Sequence, residues 1–353
     1  MQLPPALREA IAEQLDGCHP GRLRAASERL SECYRQANEG AGVARAASSP
    51  RPATPRNALA NDELRAAYLA VRVPATFAAI SAALTWTRET CVEPGRDELR
   101  SLLDLGSGPG TALWAATQVF PAIEAATAVE RDPRMIEIGC RLAREAPHRA
   151  LREAHWVERD LTATLPEGAW DLVVCSYTLN ELGEAQRDGF IRQAWARTAK
   201  LLVIVEPGTK SGFANILALR TRLLAAGASL AAPCPNPLEC PMRGGSDWCH
   251  FAARVERTAE HRRLKDATLG HEDEKFSYIA FTRRAQPGEP PSGAAAGEKP
   301  PSEPARIVRH PRIFSGYTQL TLCRAGEIAN TAITRSKKED WRRLKRLGWG
   351  DRW

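Results

Sequence analysis

The pattern of apolar and polar positions divides the chain into two regimes. In the first hundred residues, apolar side chains recur at helical spacing. Leu3, Leu7, Ile11 and Leu15 stand four apart and so share one helical face. A second apolar set runs from Leu23 to Tyr34. The stretch SSPRPATPRN, 48–57, reads as a loop from its proline and serine content. NDELRAAYLAVRVPATFAAISAALTWTRET, 61–90, resumes the helical pattern, with Asn61 or Asp62 as N-cap and Pro74 as a break or kink. Residues 1–98 are expected to form an N-terminal helical region.

From residue 99 the period changes. LRSLLDLG, EAATAVERD, AHWVERDL, WDLVVCSYTLNEL and KLLVIVEPG hold five short apolar strands. TALWAATQVF, PRMIEIGCRLAREA and RDGFIRQAWART read as helices between them. FANILALRTRLLAAG is a further helix and KFSYIAFTRR a further strand. Continuous apolar strands alternating with amphipathic helices imply a parallel sheet buried on both faces. The expected fold class is α/β and Rossmann-like over 99–284, with a cysteine-bearing insertion at 231–250. AQPGEPPSGAAAGEKPPSEPA, 285–305, is low in complexity and reads as a disordered linker. RIVRHPRIFSGYTQLTLC reads as two short strands, so 306–353 is expected to be a small β extension ending in a basic tail. No internal repeat is visible.

Length and composition fit this division. The 353 residues, 43% of them apolar, suffice for one large domain with appendages or for two domains. No run of 18 apolar residues occurs, so no membrane span is expected. The opening MQLPPALREAIAEQLDG has no continuous apolar segment and carries Glu9, Glu13 and Asp16, unlike a secretory signal or transit peptide. A cytoplasmic protein is the expectation. The net charge of +7 is concentrated: residues 306–353 hold twelve Lys or Arg against four Asp or Glu. Such a tail suits a polyanion, with nucleic acid ahead of a membrane surface. A solvated helix end is the plain alternative.

The loop LLDLGSGPGTA, 102–112, joins a strand to a helix. Gly106, Gly108 and Gly110 allow a tight turn and a close backbone approach to a ligand. Asp104 lies just before the first glycine. Glu130 ends the next strand, where a carboxylate can accept from ribose hydroxyls, and Asp160 ends the third, within reach of an adenine amino group. A dinucleotide site is the rival, but that motif wants a small residue where Thr111 stands. The loop resembles the first motif of the class I S-adenosylmethionine-dependent methyltransferases. By that resemblance Gly106, Ser107 and Gly108 line the methionine part, Glu130 the ribose and Asp160 the adenine, with Ser176 and Tyr177 closing the pocket. After the fourth strand, CSYTLNEL holds no amide-clamping Asn/Asp-Pro-Pro-Tyr/Phe motif. Cys175 reads as a buried thiol, Asn180 and Glu181 as pocket or helix-cap residues, and the catalytic group stays unassigned.

Nine cysteines in a cytosolic chain argue against structural disulfides and for metal or reactivity where they cluster. PCPNPLECPM, 233–242, and DWCHF, 247–251, place Cys234, Cys240 and Cys249 in a stretch whose prolines forbid regular structure. Thiolates converging from a loop suit a soft metal. His250 or Cys323 could complete four ligands, so zinc and an iron–sulfur cluster both remain open on chemistry alone. Cys18, Cys33, Cys91 and Cys140 read as packing residues.

Taken together, LDLGSGPG, YTLNEL, VEPGT, PCPNPLECP, DWCHF, KFSYIAF, RIVRHPRIFSGYTQLTLC and the late WGD resemble the bacterial branch of a methyltransferase-like family that assists small-ribosomal-subunit assembly. The matching pieces span most of 100–351; the N-terminal helices match only loosely. The resemblance implies a 4Fe–4S cluster on Cys234, Cys240, Cys249 and Cys323, pinning the insertion and the C-terminal segment to the core. It also implies the small subunit and its rRNA as partners. The basic tail fits them, since Trp341, Trp349 and Trp353 could stack on unpaired bases or dock the tail to its own domain. Three functions follow: methylation of rRNA or a ribosomal protein, cofactor-dependent assembly without chemistry, or small-molecule methylation.

Overall fold

The computed structural model describes residues 1–40, 59, 61–91, 98–264, 268–283, 304–324 and 326–353. The loop expected at 48–57 lies outside them, as does the linker expected at 285–305 apart from its last two residues. Of these, Ala305 is buried.

The apolar runs pair into one eight-stranded sheet. Strands β1 (Ser101–Leu105), β2 (Ala125–Glu130), β3 (His155–Glu158), β4 (Trp170–Ser176) and β5 (Thr198–Pro207) are parallel, in the order β3-β2-β1-β4-β5. Three further strands follow: β6 (Ser229–Ala232), β7 (Phe251–Glu256) and β8 (His271–Thr282). β8 lies antiparallel to β5, and its far edge is shared by β6 beside Ala280–Thr282 and β7 beside His271–Phe276. The chain between β6 and β7, residues 233–250, therefore leaves that edge and returns to it. This excursion is the proline- and cysteine-rich stretch.

Alternation along the strands divides the core. Leu102, Leu172, Val174, Val203, Val205 and Tyr278 face one side of the sheet. Leu103, Leu105, Val173, Cys175, Ile204 and Phe281 face the other. The first side is covered by α1 (Pro5–Leu15), α2 (Pro20–Gly40), α3 (Asp62–Ala67), α4 (Val73–Cys91), α5 (Thr111–Val119), α6 (Pro133–Ala143) and α7 (Arg149–Arg152). The second is covered by α8 (Glu184–Ala196) and α9 (Lys210–Ala225). A short α10 (Ala259–Leu264) follows β7.

Asn61 caps α3, its side chain accepting from Leu64 N at 2.9 Å. Pro74 does not break the helix. The turn Tyr68–Arg72 adopts π geometry, and the rod continues from α3 through it into α4. Asp62–Cys91 is long and apolar enough to cross a membrane, at mean hydropathy 1.5, but 83% of its most apolar window is buried inside the fold. It is a core helix, laid across β5 to β8.

Residues 306–353 form a second, four-stranded sheet rather than two strands. β9 (Arg306–Ile307), β10 (Arg312–Phe314), β11 (Tyr317–Arg324) and β12 (Glu327–Thr334) are antiparallel, and α11 (Lys338–Leu344) follows them. Ala305, Ile307, Leu320, Leu322, Ile333 and Leu344 make a small core of their own.

Candidate functional site

The order of the parallel strands reverses between β1 and β4, and such a switch point opens a crevice at the C-terminal strand ends. The glycine loop sits there. Gly106, Gly108 and Gly110 all take positive φ (77°, 53° and 83°), conformations that disfavour a side chain. A Cβ on Gly106 would lie 2.6 Å from Thr178 Oγ1. Gly106 N and Ser107 N donate to Val129 O, pinning the loop to β2. Gly108 N donates to Glu130 Oε2 at 2.8 Å, while Glu130 Oε1 accepts from Arg131 N and Asp132 N.

The cleft measures about 980 Å³, and Gly106, Gly108, Glu130, Asp160, Ser176 and Tyr177 all line it. Asp104 and Ser107 do not, and both are buried. Ser107 Oγ donates to Asp104 O, and the Asp104 carboxyl is fully buried with neither oxygen hydrogen-bonded. Burial, helped by the charge of Glu130, pushes Asp104 up to about 7. Asp160 accepts from Thr162 N and Oγ1 and faces Arg131 at 3.9 Å.

Asn180 and Glu181 stand on a 3-10 turn, Leu179–Glu181, and both line the cleft. Neither caps α8, whose N-cap is Gly183. Asn180 Oδ1 accepts from Asn215, and Glu181 pairs with Arg131 at 3.4 Å. Behind this turn Glu206 is fully buried; its Oε1 accepts from Leu179 N, and burial pushes it up to about 7.

One wall was not foreseen. Tyr34, Tyr68 and Arg72, from the N-terminal helices, line the same cleft. Arg72 binds both oxygens of Glu274, and Tyr177 OH donates to Glu274 at 3.2 Å. The Arg72 guanidinium lies over the rings of Tyr34 and Tyr177. Tyr177 itself has φ 59°, a costly backbone for a bulky residue and one that clusters at ligand sites. The signal in the sequence was Arg72, a single charge inside an otherwise apolar helical run.

The four cysteines singled out by resemblance surround one second cavity. Cys234, Cys240 and Cys249 come from the excursion, and Cys323 comes from β11 of the C-terminal sheet. His250 is not in its wall. The His250 ring lies between Trp248 and Trp349, each 5.0 Å away, and its Nδ1 donates to Trp248 O. Among the described residues, no group of three or more His, Cys, Asp or Glu side chains is arranged to hold a metal ion. The thiols of Cys234, Cys249 and Cys323 are all pushed up, first by burial and then by other cysteines of the group.

Two guanidinium groups, Arg220 from α9 and Arg306 from β9, also line the cavity. They are 5% and 3% exposed, and among the described residues neither has a carboxylate partner. Arg306 donates to Pro233 O and Gly350 O, and Arg220 to Asn236 O and Leu238 O. Arg220 Nε is buried without a partner. Two buried cations beside four thiols make a site suited to an anion, since an unpaired buried charge is strongly disfavoured. The remaining thiols differ: Cys175 is fully buried, and Cys140, expected to pack, is exposed.

The tail tryptophans dock internally. Trp341 and Trp353 pack on the C-terminal core, and Trp349 contacts His250 and His310. Arg335 and Arg343 lie over the rings of Trp341 and Trp353.

A mostly parallel sheet with one antiparallel strand inserted beside β5, and a glycine loop at its switch point, defines a class I methyltransferase fold. The chain belongs to the Rsm22 family, described as mitochondrial small ribosomal subunit Rsm22, which matches residues 62–353. It is 25% identical over 300 residues to the human mitochondrial ribosome assembly protein METTL17, covering 80% of this chain and 61% of that one. It is 29% identical over 155 residues to the mitochondrial Rsm22-cox11 tandem protein 2 of Schizosaccharomyces pombe, covering 40% of this chain and 21% of that one. The chain thus spans less than two thirds of these relatives. Among solved structures, magnesium protoporphyrin IX methyltransferase from Synechocystis, with bound S-adenosylhomocysteine, is 12% identical. That alignment covers 72% of this chain and 95% of the other, at a TM-score of 0.40.

Proposed function

We propose that this chain is a cytoplasmic, S-adenosylmethionine-binding assembly protein of the small ribosomal subunit, which contacts rRNA and carries a 4Fe–4S cluster on Cys234, Cys240, Cys249 and Cys323. The observation that carries the cofactor is Gly108 N on Glu130 Oε2. It holds a bare backbone and a carboxylate side by side at the switch point, as a methionine–ribose ligand requires. When bound, the cofactor supplies an electrophilic methyl group. Glu130 and Asp160 would hold its ribose and adenine, and Tyr177 would close over it. Nine cysteines, four of them around one cavity, suit a reducing compartment.

A binding role is favoured over methyl transfer by the state of the residues at the mouth. Tyr177 OH and the Glu274 carboxylate, which could have served as a base, are bonded to each other, and Glu274 also to Arg72. The cluster reading is supported by the shared cavity and by Arg220 and Arg306, whose charges complement a dianionic tetrathiolate cluster. A single zinc draws its ligands within about 2.3 Å of one point. A cuboidal cluster gives each thiolate its own iron, which suits four thiols standing around a cavity.

Two measurements test this. Anaerobically purified protein should contain iron and sulfide that Cys323→Ser loses and Cys140→Ser keeps; stoichiometric zinc with no sulfide would refute the cluster. Small-subunit precursors incubated with the protein and methyl-labelled cofactor should retain the protein without taking up label. Label in rRNA or a ribosomal protein would make it an enzyme, and no association would overturn the ribosomal reading.

A further inference from the structure

Phe314 and Tyr317 stack nearly parallel on the C-terminal sheet, centroids 4.8 Å apart and planes 11° apart. They face each other across the β10–β11 hairpin, and the register sets Thr334 beside Tyr317 and Arg312 beside Gln319. Strand alternation puts these residues on one side of the sheet. The opposite side carries Leu320, Leu322 and Ile333, packed with Leu344 of α11. The aromatic pair is therefore outside the core. Phe314 is 42% exposed. One end of this face, at Cys323 and Ile328, lines the cysteine cavity. The other end, at Arg312, Phe314, Ala332 and Thr334, is exposed.

Charge identifies the partner. Of the six Lys or Arg in residues 306–337, Arg306 is buried in the cysteine cavity, Arg309 is bonded to Asp247 and Arg324 faces Glu327 at 4.0 Å. This leaves Arg312, Arg335 and Lys337 exposed around the open end of this face. A flat aromatic surface in a cationic surround matches the chemistry of unpaired nucleobases on a phosphate backbone. A duplex hides its base faces, and an acidic peptide offers nothing for the rings to stack on.

We propose that this open face, centred on Phe314 and Arg312, is a platform for single-stranded RNA. Phe314 stacks on a base and Arg312 contacts phosphate. The inference rests on the reading that the chain binds rRNA, and it moves the stacking role from the tail tryptophans, which are engaged internally, to the β10–β11 hairpin.

The test uses the full chain, a labelled single-stranded oligoadenylate, its DNA counterpart and the matching RNA duplex, followed by fluorescence anisotropy across a salt series. Phe314→Ala should weaken single-strand binding about tenfold, with Phe314→Trp retaining it. Arg312→Ser should weaken binding and reduce the salt slope by about one. The duplex should bind more weakly and be insensitive to Phe314→Ala. Thermal unfolding of each variant shows that the exposed substitutions leave the fold in place. Wild-type binding that Phe314→Ala and Arg312→Ser both leave unchanged would overturn the platform alone and leave this face for a protein. Tighter binding of the DNA strand would overturn its RNA assignment. No binding of any probe by the wild-type chain would overturn the rRNA reading itself.

Discussion

Trp86 and Asp351 are 265 residues apart in sequence and directly bonded: the indole Nε1 donates to Asp351 Oδ1 at 3.1 Å. The Trp86 ring packs with Phe251, Phe276 and Tyr278 in the main core. Asp351 is tied to the second sheet, since Ile307 N donates to its carbonyl and Gly350 N donates to Ile307 O. The short WGD sequence near the end is thus the clamp between the two sheets.

Gly350 is the sensitive point of this clamp. It has φ 104°, and a Cβ there would lie 2.2 Å from the Trp86 ring. Gly350→Ala combines left-handed strain with overpacking and should cost about 2–4 kcal/mol. The expected readout is a lower urea midpoint, with earlier proteolytic release of residues 306–353. Asp351→Asn keeps the shape and should cost about 1 kcal/mol. Equal stability of Gly350→Ala and wild type would mean that the clamp does not hold the sheets together.

Glu130 serves the loop before it serves any ligand, through Gly108 N, Arg131 N and Asp132 N. Glu130→Ala should therefore lower affinity for S-adenosylhomocysteine by about ten- to a hundredfold in calorimetry, the scale of a lost charge-assisted hydrogen bond. Glu181→Ala, at a neighbouring ion pair with Arg131, should change it far less. Equal losses from both would place the ribose elsewhere.

The strands β1, β4 and β5 were legible because they are buried on both faces and so read as unbroken apolar runs. β7, FAARVE, was missed because it alternates buried and open positions and carries two charges. β12, EIANTAIT, buries only Ile333 and so has no apolar period to read. The glycine loop and the strand-end acids declared themselves locally. Arg220 and Arg306 could not, because an arginine in an amphipathic helix or at the start of a short strand reads as solvent-facing until the fold sets it against four thiols. The tail tryptophans were ambiguous for a similar reason: composition does not distinguish an indole that stacks on a base from one that packs on its own core.

Asp104 makes stability depend on pH. Its folded-state value of about 7 lies above the ordinary carboxyl value, with burial as the main cause. Between about pH 4 and pH 7 the folded state holds a proton that the unfolded state has released. Stability should therefore be greatest below this window, as far as Asp104 is concerned, and fall by a few kcal/mol as pH rises through 7. Glu206, also about 7, adds to the same slope. Asp104→Asn cannot ionise and should flatten the decline in urea midpoint between pH 5 and 8 relative to wild type. An unchanged slope would show that the buried carboxyl is compensated in solution.

Arg220 separates a charge effect from a packing effect at the cysteine cavity. If the site holds a cluster dianion, a buried guanidinium beside it stabilises the more negative, reduced form and raises the reduction potential. Arg220→Leu removes the charge while keeping apolar bulk in the wall of the cavity that Phe213 and Met242 also line. It should lower the midpoint potential of the cluster by roughly 50–100 mV, equivalent to about 1–2 kcal/mol. It should also slow reconstitution with iron and sulfide. Arg220→Lys keeps the charge but loses the planar guanidinium whose Nη2 donates to both Asn236 O and Leu238 O, so it should loosen the loop with little change in potential. A potential that falls equally in both variants would assign the effect to loop geometry. A wild-type protein with iron whose potential ignores both substitutions would show that Arg220 does not sense the cluster.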